Sequence, residues 1–203
     1  MKSLVQILVI LGFVYITFGH KKNQNNFISD VSTTKESNPY AKLKKVVYKV
    51  KGLGDVSNYT LNQTASTIES FYGFTTIVEH NVEINPKMFI KNTDDILNAS
   101  VCLENLNSYT EKTIYVTNKE LWALGRYVNG LAYHEGNSVI VSTRATDITE
   151  TIKHEIGHTL GLNHCDDKTC VMASENDNYE TGKFCNKCKN HLIVRFNIKK
   201  NKL

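Results

Sequence analysis

Residues 154–172 read HEIGHTLGLNHCDDKTCVM, and the fold and chemistry of the chain turn on this stretch. His154 and His158 are four apart, so on a helix they stack on one face, a turn from each other. Two imidazoles placed this way can reach one metal ion at about 2.0–2.1 Å. Glu155 follows His154 and can address a water held by that ion. Gly161 can leave the helix in a left-handed turn because it has no Cβ to clash. His164 can then return as the third ligand. Three protein ligands leave a fourth position for water, as catalytic zinc requires.

The residues before the motif supply its helix. Asp147 and Glu150 fit a capping box, with Asp147 as N-cap and Glu150 at the third helical position. The spacing predicts a helix to about residue 160. Ile148, Ile152, Ile156 and Leu160 recur every four residues and form a buried stripe. The histidines sit on roughly the opposite side, so the helix is expected to be packed on both faces.

Further upstream, residues 45–51 (KVVYKVK) are β-branched and aromatic, and predict a strand ending at Gly52-Leu53-Gly54. Residues 58–72 carry Leu61, Ala65, Ile68 and Tyr72 at helical spacing, and Gly73 stops that helix. A second strand is expected from Phe74 to Ile84, giving a βαβ unit with parallel strands. Residues 93–106 read as a second helix, in which Cys102 is a small buried hydrophobe. Residues 112–117 and 138–143 predict strands, 130–134 a short edge strand, and 119–129 a loop or brief helix. The expected body is an α/β layer with a mixed sheet of about five strands.

Of five cysteines, Cys165, Cys170, Cys185 and Cys188 fall late in the chain. The spacing C-x4-C…C-x2-C suits a closed four-thiolate structural zinc site, with residues 181–183 and 186–187 as short loops allowing the approach. Two disulfides, or redox chemistry at Cys185 and Cys188, are the alternatives this spacing leaves open.

At the other end, Met1 and Lys2 precede an apolar run over residues 4–18. Residues 1–19 are read as a secretory signal peptide or an uncleaved anchor, so export or tethering is expected. Residues 20–44 are polar and Asn/Ser/Lys-rich, and read as a linker. The net charge of +4 is modest, and no basic patch interleaved with aromatics argues for nucleic acid. A membrane enters only if the first segment stays uncleaved.

The run H-E-x-x-H-x-x-G-x-x-H into C-x4-C-x-M, closed by F-C-x-x-C (residues 154–188), resembles the archaemetzincin family of metzincin zinc peptidases. Gly52-Leu53-Gly54 and Asn129-Gly130-Leu131-Ala132 are also family-like. The resemblance implies a catalytic domain over residues 45–203, with an upper part 45–161 and a zinc-bearing part 162–203. It implies His154, His158 and His164 on a catalytic zinc, Glu155 as general base and acid, Gly161 and Met172 as structural supports, and the four late cysteines on a second zinc. The expected activity is hydrolysis of peptides or proteins by a monomer, with substrate extended along residues 130–134. Tyr179 is considered for oxyanion stabilisation. The alternative is a non-catalytic, zinc-stabilised peptide- or protein-binding module.

Overall fold

A computed structural model describes residues 46–173 and 182–196. The segments 1–19 and 20–44, and Tyr179, lie outside the described residues. The chain order is β1 (Val47–Leu53), α1 (Asn58–Tyr72), β2 (Thr75–Val78), a 3-10 turn (Pro86–Met88), β3 (Ile96–Asn98), α2 (Ala99–Leu106), β4 (Lys112–Thr117), β5 (Glu120–Ala123), β6 (Arg126–Val128), β7 (Gly130–Ala132), β8 (Ser138–Ser142), α3 (Ile148–Thr159) and α4 (Asn186–Phe196).

Side-chain alternation makes the sheet two-faced. Val50, Ile114, Val116, Val139 and Val141 enter one core, with α1 and α3. Tyr115 and Ile140, from the intervening positions, enter a second core with α2. Both faces are covered, as strands paired in parallel demand. The five strands run in the order β2-β1-β4-β8-β7. The first four are mutually parallel, and β7 pairs antiparallel with β8 at the edge. The mixed α/β class with a five-stranded sheet is the one the sequence predicts.

Helix α1 begins where the Ser57 side chain accepts from the Thr60 N–H at 3.2 Å. It ends at Gly73, whose φ of 71° lets its N–H bond the Glu69 carbonyl. Its buried stripe of Leu61, Ala65, Ile68 and Tyr72 faces the first core.

Several expectations are corrected. The second strand stops at Val78 rather than Ile84: the Glu79 N–H still bonds the Val50 carbonyl at 2.9 Å, and beyond it only Val82 rejoins, as a single bridge to Leu53. The helix expected over residues 93–106 starts at Ala99, where the Asn98 side chain accepts from the Val101 N–H. The residues before it pair as β3 with β5. The segment 119–129 is a hairpin, not a loop or helix, and with β3 it makes a second sheet of three strands. Asn186 and Lys187 open α4 instead of forming a loop, because Cys188 and Leu192 give that segment a buried face.

Candidate active site

Helix α3 carries three of the motif residues. The Asp147 side chain accepts from the Glu150 N–H at 3.0 Å and caps it. The capping box is only half formed, because the Glu150 carboxylate pairs with Lys153. Ile152, Ile156 and Leu160 are buried in the first core, with Ile148 packed beside them. The helix then unwinds as its pattern predicts. Gly161 has φ 85°, and the Leu162 N–H returns to the Gly157 carbonyl at 3.0 Å.

This reversal matters for the imidazoles. His158 Nδ1 donates to the Leu162 carbonyl at 2.9 Å, and His154 Nδ1 donates to the Val171 carbonyl at 2.7 Å. A carbonyl only accepts, so each Nδ1 carries the proton and each Nε2 keeps its lone pair. The two Nε2 atoms lie 3.1 Å apart. Two lone pairs at that distance repel unless a cation sits between them. Nitrogens bound tetrahedrally at about 2.0–2.1 Å from one zinc are themselves about 3.3 Å apart. The His164 ring completes the triangle, with centroids 5.3 and 4.9 Å from those of His154 and His158. The three candidate ligand atoms lie within 4.8 Å of one another. Burial lowers His154 to about 4, with the Val171 bond opposing and the other imidazoles assisting. Its ring is therefore neutral at neutral pH, the state a metal ligand needs.

Met172 is fully buried beneath this group, and its carbonyl accepts from the Cys165 N–H at 2.7 Å. A Cβ on Gly157 would run into the Met172 sulfur. Gly157→Ala should therefore overpack the floor of the site and cost about 1–3 kcal/mol, read as a lower urea midpoint at unchanged slope. A midpoint equal to that of the wild type would show that Met172 has room to move.

Glu155 is buried, and burial pushes its carboxyl up to about 8, with the Ala132 backbone N–H opposing. A Cβ on Gly130 would meet Glu155 Cγ at 2.8 Å and Thr151 Cγ2 at 3.0 Å. Gly130 thus seats the carboxylate against the edge strand, a role that no spacing in the sequence announces. The Ser142 N–H bonds the Asn129 carbonyl at 2.9 Å. The pairs Gly130↔Val141 and Ala132↔Val139 are therefore the non-hydrogen-bonded ones, which turns the Gly130 and Ala132 backbone groups to the open edge. The cleft between this edge, the three histidines and the β5–β6 hairpin tip has a volume of about 540 Å³.

Cys165, Cys170, Cys185 and Cys188 also converge, with their sulfurs within 4.8 Å of one another. Cys165 and Cys185 Sγ are 3.6 Å apart, close to the separation of about 3.8 Å between thiolates at about 2.3 Å from a tetrahedral zinc. All four are free thiols. The Met172 and Cys185 N–H groups donate to Cys170 Sγ at 3.4 and 3.3 Å. Cys185 is lowered: burial raises it, but the Cys188 N–H and the three neighbouring thiols outweigh that. Neither the spread of sulfurs nor their bonds resemble two disulfides. Cys102 stands apart, buried in the second core, and burial pushes its thiol up to about 12. It is the small hydrophobe the sequence predicts.

Residues 28–194 match Peptidase family M54. An archaemetzincin of Halobacterium salinarum is 29% identical over 142 residues, spanning 59% of this chain and 82% of that protein. The crystal structure of archaemetzincin from Methanopyrus kandleri superposes with a TM-score of 0.62 at 20% identity, covering 76% of this chain and 97% of that one. That of archaemetzincin from Archaeoglobus fulgidus, complexed with malonate, gives 0.61 at 24% identity, covering 72% and 99%.

Proposed function

Because this chain belongs to Peptidase family M54 and is a zinc metallopeptidase, we propose that it hydrolyses peptide bonds with Glu155 as general base and then general acid. His154 and His158 would hold the ion through the Nε2 lone pairs that their carbonyl bonds leave free, with His164 as the third ligand. A zinc ion held there would supply Lewis-acid polarisation of the scissile carbonyl and make the attacking water more acidic. Glu155 takes a proton from the attacking water on a carboxylate oxygen and passes it to the leaving amine nitrogen. Burial raises the basicity of this carboxylate, while a cation among the imidazoles opposes that shift. The Ala132 N–H is taken by Glu155, and the outward Gly130 N–H and C=O and the Ala132 carbonyl are left for an extended substrate to pair with as a further strand. The four thiolates hold a second ion in a closed site.

The observation that carries this reading is the facing Nε2 pair of His154 and His158 above a buried Glu155 in one cleft. The test is digestion of a mixed peptide library, read by mass spectrometry. The zinc-loaded chain should cleave a subset of peptides, lose that activity to a chelator and regain it with added zinc. If the zinc-loaded chain leaves every peptide intact, the non-catalytic binding module is the better reading.

A further inference from the structure

The wall of the cleft carries a charge that the reaction above does not use. Arg126 opens β6, directly after the turn residues Leu124 and Gly125, whose φ values are 53° and 79°. Two positive φ values in succession make the tight turn that matches strand twist in a hairpin. The ribbon is braced, because Trp122 and Tyr127 face each other in register and their rings meet edge-to-face at 5.0 Å. Only Asn129 separates β6 from the edge strand β7. Arg126 is thus held on a stiff arm continuous with the strand that takes up substrate.

No described residue neutralises the guanidinium. Arg126 is exposed, lines the cleft, and makes no hydrogen bond or ion pair with any described residue. Arg144, near the base of the same hairpin, behaves differently: it is clamped by both oxygens of Asp95, at 2.6 and 2.8 Å. Glu155 is the only carboxylate among the described residues lining the cleft, and it is buried beside the histidines. The cleft therefore presents a free, planar, five-donor cation to its contents. Such a fork matches a carboxylate bidentately.

We propose that Arg126 binds a carboxylate of the substrate, on the residues downstream of the scissile bond. This rests on the peptidase reading above. A peptide paired antiparallel with β7 points its C-terminal end towards Asn129 and the hairpin. The carboxylate is then an Asp or Glu side chain, or the C-terminus of the peptide itself. The exposed Leu124 and Tyr127 flank Arg126 and give the same segment apolar contact.

The test uses matched peptides in the full zinc-loaded chain. One pair differs as Asp against Asn downstream of the cleaved bond, and the other as free acid against amide at the C-terminus. Wild type should prefer the carboxylate member of at least one pair in kcat/KM by about tenfold or more, the strength of a charge-assisted pair. Arg126→Gln should bring that ratio close to one, and Arg126→Glu should invert it towards a peptide with Lys at that position. The pair that shows the effect identifies the source of the carboxylate. Calorimetric binding of the same pairs to zinc-loaded Glu155→Gln gives the same ratios without turnover. A wild type with no carboxylate preference in either assay, or an equal preference in Arg126→Gln, overturns the proposal. Hydrolysis of the neutral peptides reports on the peptidase reading separately. Should none be cleaved, the calorimetric ratios with wild type and Arg126→Gln still decide the role of Arg126.

Discussion

Glu155→Gln lowers kcat/KM for every cleaved peptide by about 10²–10⁴-fold, the contribution of a positioned general base. The amide keeps the shape of the carboxylate in its slot against Gly130, so the fold is retained. The variant should still bind its metal, because the proposed ligands are His154, His158 and His164 and not Glu155. Peptide kinetics combined with metal analysis check both halves. Activity within a factor of a few of wild type would remove Glu155 from the reaction. The same variant carries a pH signature in the metal-free chain. Burial raises the folded pKa of Glu155 to about 8, against about 4.3 in an unfolded chain. Across that window Glu155 binds the extra proton in the folded state, so its contribution to wild-type stability falls as pH rises. Gln has nothing to titrate. The variant should match wild type near pH 5 and exceed it in urea midpoint near pH 8.

Cys170→Ser should have the second large effect. Its sulfur is buried and accepts from the Met172 and Cys185 N–H groups, so it ties the floor of the histidine site to the start of α4. Structural zinc contributes on the order of 10 kcal/mol to folding in small zinc modules. We expect metal content to drop by one zinc per chain, with a large fall in melting temperature. We also expect the remaining ion to bind about tenfold more weakly in a competition with a chromophoric chelator, the loss typical when support to a ligand is removed. His164 and Cys165 are adjacent, and the Cys165 N–H bonds the Met172 carbonyl. Loosening the thiolate cluster therefore loosens the segment that delivers His164. Unchanged affinity for the remaining ion would show that the two clusters are independent.

What the sequence revealed follows from where local and distant forces agree. Asp147, the Ile148-Ile152-Ile156-Leu160 stripe and Gly161 each specify α3 locally, and packing reinforces them. The same holds for α1, from Ser57 to Gly73. The facing imidazoles were legible because helical spacing alone brings two of them together. The β5–β6 hairpin was not, because its turn puts Leu124 at positive φ, where Asn or Gly is the usual signal. Residues 96–98 look helical in isolation, and only pairing with β5 makes them a strand. Helix α4 is masked in the sequence because the C-x2-C spacing signals a ligand pair, while Cys188 and Leu192 also mark its buried face. Arg126 had no local pattern at all, since its significance comes from a cleft assembled from distant segments.

The edge strand has one more consequence. β7 is only three residues long, closed at one end by the hairpin and at the other by Glu135, which turns the chain at φ 58°. At about 3.3 Å per residue, it offers roughly 10 Å of pairing. That is too short to template aggregation between copies, the hazard of an open sheet edge. It is also too short to strip a strand from a stable partner. If substrate pairs with β7 as proposed, selection is by folding state: loose tails, linkers and peptides are expected to enter, and intact domains to be spared whatever their sequence.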